Sequence, residues 1–145
     1  MISDHISFQE ATRTGTGLLN APNDVQFSAM CALAINVFEP LRKAVGGPIH
    51  INSFFRSAEV NRKVGGSPTS QHVKGEAMDI SKEGQNAEMF DYIRKNLLFD
   101  QLIWEHGTDD EPAWVHVSYR ADGRNRKEVL WAKKVNGKTI YLKYA

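Results

Sequence analysis

The chain has 145 residues, 41% of them hydrophobic and 24% charged, and a formal net charge of +1. That is the size and make-up of one globular domain, 1–145, and it excludes a disordered or collagen-like chain; near-neutral charge also argues against a general nucleic-acid binder. Cys31 is the only cysteine, so one chain can form neither an internal disulfide nor a multi-thiolate metal site, and no apolar run approaches the roughly 20 residues of a membrane helix.

Met1 to Glu10 has no basic region followed by an apolar one, so it is not expected to act as a signal peptide. Ser7-Phe8-Gln9-Glu10 reads as a capping box that opens a short helix. Asn20 to Asn23 is a turn. Val25, Met30, Leu33, Val37, Leu41 and Val45 then recur at helical spacing, which predicts an amphipathic helix closed by Gly46-Gly47 and kinked or divided at Pro40. Ile49 to Ser53 alternates as a half-buried strand does. Ser57 to Val64 is a short helix with a Ser cap, stopped by Gly65-Gly66. A polar loop, Ser67 to Gly75, leads into a strand at Ala77 to Ser81. Asn86 to Leu98 is a helix with Met89, Phe90, Ile93 and Leu97 on one face. Gln101 to Glu105 and Trp114 to Tyr119 read as strands. Val129 to Val135 and Lys138 to Leu142 flank Asn136-Gly137, a strong hairpin signal. The strands are mostly neighbours in sequence, so the expected class is α+β, with helices packed on a mostly antiparallel sheet. Arg120 to Ala145 carries a net charge of +6 and the rest of the chain −5. This basic hairpin, at about 120–145, is expected to present a solvated face, with contact to an anionic polymer as the alternative.

The histidines differ in promise. His5 is expected to be solvated near a terminus, and His50 to lie on a strand surface. His106 follows Glu105 at a strand end and is expected to have no functional role, with a substrate contact or support of the site as the alternative. His72 and His116 carry more. His72 stands in a Ser-x-His-x-x-Gly-x-Ala-x-Asp pattern that runs from Ser70 to Asp79. Gly75 lets the loop turn sharply after the His. Asp79 enters a strand with its carboxylate on the side of His72, and the two can share one small cation. His116, alternating with Trp114 and Ser118 on a strand face, can supply a third ligand from across the sheet. Two His and one carboxylate leave a position open on zinc for water, which is the pattern of a catalytic site.

Several stretches together resemble the zinc D-Ala-D-Ala carboxypeptidase family of peptidoglycan peptidases, with the Hedgehog/DD-peptidase fold. Relatives include phage L-alanyl-D-glutamate endopeptidases and vancomycin-resistance D-Ala-D-Ala dipeptidases. The resemblance lies in Ile49 to Ser57, Val60-Asn61, Gly65-Gly66-Ser67, Thr69 to His72 through Asp79-Ile80, Asp100 to Glu105 and Trp114 to Tyr119. Phe8 to Thr12 and Glu39 to Arg42 add to it. It covers residues 5 to 119 and leaves out the basic hairpin. The resemblance implies that His72, Asp79 and His116 bind one Zn2+ per chain. It also implies that Arg56 polarises the scissile carbonyl or steadies the oxyanion, and that Ser70 hydrogen-bonds substrate. Two positions depart from the pattern. Phe54 stands where a Gly is usual. Ala113 stands where many relatives have an Asp or Glu three residues before the last His.

The base must then come from elsewhere. Glu105 is the candidate, because its strand is expected to pair with that of His116 across a short loop. Glu111, Asp109 and Asp110 are rivals on that loop. The reading that follows is a zinc peptidase, carboxypeptidase or endopeptidase, that cleaves stem peptides of peptidoglycan beside a D-amino acid. It is expected to be a monomer with no nucleic-acid or membrane partner. A zinc-containing binding module without turnover is the alternative, and Ala113 is the feature that favours it. The route to the cell wall stays open between holin-mediated release, particle delivery and cytoplasmic turnover of imported wall peptides.

Overall fold

Six strands join into one sheet in the computed structural model, which describes residues 1–145. They are β1 (His50–Ser53), β2 (Ala77–Ser81), β3 (Gln101–Glu105), β4 (Trp114–Ser118), β5 (Glu128–Val135) and β6 (Lys138–Lys143), in the spatial order β1-β2-β4-β3-β5-β6. Every pair is antiparallel except β3 and β5. The expected mostly antiparallel α+β arrangement is therefore what forms. The parallel pair arises because the chain leaves β4, crosses the end of β3 and starts β5 on its far side. There Lys127 N–H donates to the Phe99 carbonyl and Glu128 N–H to that of Asp100.

Strand alternation sorts the sheet into two faces. Ile51, Met78, Ile80, Leu102, Trp104, Val115 and Val117 point into one core. Helix α2 (Asp24–Leu33), α3 (Glu39–Val45) and α5 (Asn86–Asn96) cover that face with Met30, Leu33, Leu41, Met89, Phe90 and Ile93, all fully buried. Each such side chain stabilises the fold by about 1.5–3 kcal/mol relative to exposure. The opposite face carries Asp79, His116 and Glu105 and is left open by the helices.

The helix predicted over Val25 to Val45 forms in two α-helical parts joined by a π-helical turn, Ala34–Phe38. Pro40 lies in the first turn of α3, where its missing N–H would otherwise break the hydrogen-bond ladder. The wider π turn before it carries the helix past that gap. The helix ends at Gly46, φ 74°. Val25 does not share the buried stripe; it is 80% exposed. In α1 (Phe8–Thr12), Ser7 accepts from Glu10 N–H, but the reciprocal arm of a capping box forms only at Asn23 and Gln26, opening α2. Helix α4 (Ala58–Lys63) has the expected Ser57 cap. His5 is not simply solvated, since its Nδ1 lies 2.6 Å from Glu39 Oε1. His50 is exposed on edge strand β1. No helix is long and apolar enough to cross a membrane.

Candidate active site

The loop from Ser67 to Gly75 is shaped to hold one imidazole. Ser70 Oγ accepts from His72 N–H at 3.2 Å, and the His72 carbonyl accepts from the N–H groups of Arg56 and Gly75. Gly75 has φ 74°, and a Cβ there would stand 2.5 Å from the Gln26 carbonyl oxygen of α2. Only glycine both turns the chain and admits the helix so closely. The buried His72 ring has its Nδ1 2.7 Å from the Phe54 carbonyl oxygen, so Nδ1–H donates and the Nε2 lone pair is left free. This is how a metal-binding histidine is oriented from behind. Phe54, the departure from the usual Gly, buries its side chain in the core and meets the site through this carbonyl alone.

Asp79 and His116 face each other across β2 and β4. Asp79 Oδ2 lies 3.2 Å from His72 Nε2, and Oδ1 lies 2.9 Å from His116 Nδ1. The two rings meet edge to face with centroids 5.3 Å apart. One ligand atom from each of the three residues falls within 4.8 Å of the others, so the group could hold a metal ion. The donor chemistry fits zinc: one carboxylate and two imidazoles, one of them with its free nitrogen fixed by a backbone bond. Burial pushes the Asp79 carboxyl up, but His72 and His116 outweigh it and hold the group well below the usual carboxylate range. The carboxylate sits between the two rings.

Arg56 closes one flank. Its Nε donates to Ser53 Oγ at 3.2 Å and its Nη1 to Asn61 Oδ1 at 3.3 Å, leaving Nη2 3.7 Å from Asp79 Oδ2. Gly66 is pressed so near Asn61 that a Cβ would collide with the Asn61 amide oxygen. The Asn61 role was not read from the sequence. Its signals were Val60-Asn61 among the stretches that carry the family resemblance, with no role attached, and the Gly65-Gly66 helix stop, which proves to be a contact as well.

Glu105 closes the other flank. Strand β3 pairs with β4 so that Ile103 opposes His116 and Glu105 opposes Trp114. Directly opposed residues share a face, so Glu105 points to the side of His116. Its carboxylate is buried, has no hydrogen-bonding side chain, and has only His106 Nε2 nearby at 3.8 Å. Burial pushes it up to about 7; the charge of His116 opposes this and that of Asp79 adds to it. A carboxyl titrating near neutrality suits general-base work. Geometry separates the rivals. Glu111 Oε1 accepts from Ala87 N–H at 2.7 Å, capping α5, and Asp109 lies 3.7 Å from Lys133 Nζ on the surface. Asp110 is exposed.

A family model for Peptidase M15 matches residues 5–128. The chain belongs to the peptidase M15 family. This is the zinc D-Ala-D-Ala carboxypeptidase-like family, and the α+β architecture agrees with it. No curated protein matches the chain. The M15 match ends where β5 begins, so nearly all of the β5–β6 hairpin lies outside it. The cleft, about 1100 Å³, is nevertheless lined by both parts: Arg56, Ser70, His72, Asp79, Glu105 and His116 from the matched region, and Leu130, Thr139 and Tyr141 from the hairpin. His106 also lines it, with φ 54° and its ring beside Trp114. Tyr141 was not singled out in the sequence, because a basic hairpin reads there as a solvated face.

Proposed function

We propose that this M15 protein is a zinc peptidase that hydrolyses a peptide bond of peptidoglycan stem peptides, beside a D-amino acid. The observation that carries this reading is Glu105: a buried carboxylate with no hydrogen-bonding side chain, on the same sheet face as the His72–Asp79–His116 group. His72, Asp79 and His116 would hold the zinc, which supplies Lewis acidity and makes a water nucleophilic near neutral pH. Glu105 accepts a proton from the attacking water and returns it to the nitrogen as the C–N bond breaks. Arg56, fixed by Ser53 and Asn61, offers its remaining guanidinium donors to the carbonyl oxygen as charge builds on it. Ser70 Oγ already accepts from His72 N–H, and its hydroxyl hydrogen is free to donate to substrate.

A zinc-containing binding module is the second reading, favoured by Ala113. The position three residues before His116 offers no carboxylate, and Glu105 would have to replace it from the neighbouring strand. Incubating the zinc-loaded protein with purified peptidoglycan, then analysing released fragments by mass spectrometry, separates the two. Peptide fragments cut at one defined bond support the peptidase. Retention on peptidoglycan without fragments, at every zinc level tried, overturns it in favour of the binding module.

A further inference from the structure

The cleft has a wall that the proposed mechanism does not use. Glu105 on β3 opposes Ala132 on β5, and Ala132 opposes Tyr141 on β6. The three therefore form one row on the metal-bearing face. Ala132 between them is small and fully buried, and Glu105 and Tyr141 both line the cleft. Ile103 and Leu130, the adjacent row, give the cleft an apolar floor. The Tyr141 hydroxyl has no hydrogen-bond partner in the protein. Burial and the negative charges of Glu105 and Asp79 push it above the ordinary phenol range, so it stays protonated and able to donate.

The chemistry fixes which half of a peptide would lie there. Arg56 flanks the metal group from the β1 side and faces the carbonyl. Glu105 flanks it from the β3 side and returns a proton to the amine. The residue that leaves as the amine thus extends past Glu105 toward β6, where Tyr141 lines the same cleft. We propose that Tyr141 is a substrate-binding residue of this cleft, its phenol donating a hydrogen bond to the carbonyl or carboxylate oxygen of that leaving residue. The inference rests on the peptidase reading for the direction of the peptide, and it assigns a substrate contact to a hairpin outside the M15 match.

The test compares wild type, Tyr141→Phe and Tyr141→Ala on a synthetic stem pentapeptide with a free C-terminus and on its C-terminal amide. Steady-state kinetics give kcat and KM. Calorimetry on the zinc-loaded Glu105→Gln background gives Kd without turnover. Tyr141→Phe is expected to raise KM and Kd about three- to tenfold, with kcat within about twofold. Equal loss on both peptides assigns the acceptor as a carbonyl. A loss of about ten- to a hundredfold confined to the free acid assigns it as a carboxylate. Ile140→Thr, on the other face of β6, should leave KM unchanged, and all variants should melt as wild type because β6 is exposed throughout. Wild-type KM and Kd in Tyr141→Phe overturn the proposal, whether or not Tyr141→Ala is impaired, since a ring that only packs needs no hydroxyl. If wild type binds the peptides but cleaves neither, the peptidase reading fails while the Kd series still decides Tyr141. A wild type that neither binds nor cleaves overturns both.

Discussion

Strands β2 and β4 and the hairpin β5–β6 belong to one sheet but are built on opposite terms. Around β2 and β4 the chemical groups are held by several partners. Asp79 meets both imidazoles, His72 is anchored from behind by Phe54, and Arg56 is tied to Ser53 and Asn61 before it reaches Asp79. On β6 every residue is exposed, and Tyr141 is held by its strand alone. The difference separates two duties. Charge placed away from water must be paired and immobilised or it destabilises the fold. A side chain that only meets a ligand can remain at the surface and vary.

The largest expected effect is on the tightly held side. His116→Ala should lose most of the metal, read by elemental analysis of protein purified without chelator, where wild type should approach one zinc per chain. Ser118→Ala, on the same strand, should keep it. Full metal in His116→Ala would dissolve the contrast between the regions. Next, Glu105→Gln should retain fold and metal and lose about 10²–10⁴-fold in kcat. Its partner test is Glu111→Gln, which should stay active and melt close to wild type, because the amide oxygen can still accept from Ala87 N–H. If Glu111→Gln is the inactive variant, the base assignment is wrong. Arg56→Lys keeps the charge but loses the planar fork, and should cost turnover about 2.7–4 kcal/mol of transition-state stabilisation with a smaller change in melting. Unchanged turnover would make Arg56 a purely structural residue.

A pH experiment comes next in size. The Glu105 pKa is raised from 4.5 to about 7. Between these values the unfolded chain has released a proton that the native protein keeps, so stability falls as pH rises through that window. In metal-free protein, Glu105→Gln should match wild type at pH 4 and exceed it by on the order of 2 kcal/mol at pH 8, read by denaturant melts. Adding zinc should shrink the gap, because a nearby cation favours the carboxylate. Equal stability at pH 8 without metal would show that Glu105 is solvated. The smallest effect belongs to the hairpin: Lys138→Ser should shift stability by less than about 0.5 kcal/mol.

Much of this was legible where one residue type admits one geometry. Asn136-Gly137 adopts the paired positive φ angles, 53° and 79°, of a two-residue hairpin turn. Ser57 and Gly46 cap where their chemistry requires. His72, Asp79 and His116 converge because a sharp Gly turn and strand alternation leave few other outcomes. Less could be read where distant elements decide. The parallel β3–β5 pairing depends on a crossover with no local signal. Glu111 looks like a candidate base until α5 is seen to start beside it. The π turn answers Pro40 from residues that look helical. Tyr141 lay hidden because net charge describes a hairpin and says nothing of which row its side chains join.

Asp100 gives the hairpin a practical boundary. Its buried carboxylate accepts from Arg126 N–H and Nε at 3.0 Å and Nη2 at 2.9 Å, and from Gln71 Nε2 at 3.1 Å, beside His72. Its own N–H donates to the Ser118 carbonyl. One residue thus fastens the His72 loop, the end of β4 and the entry to β5. Any exchange of the hairpin must therefore be spliced beyond Arg126, so that the guanidinium stays with its acceptor. A chimera cut between Arg120 and Arg126 strands a buried carboxylate and puts the donor on the wrong parent. A splice after Glu128 keeps this clamp whole, provided that the graft again supplies the Val129, Trp131 and Tyr144 side chains that pack against the core.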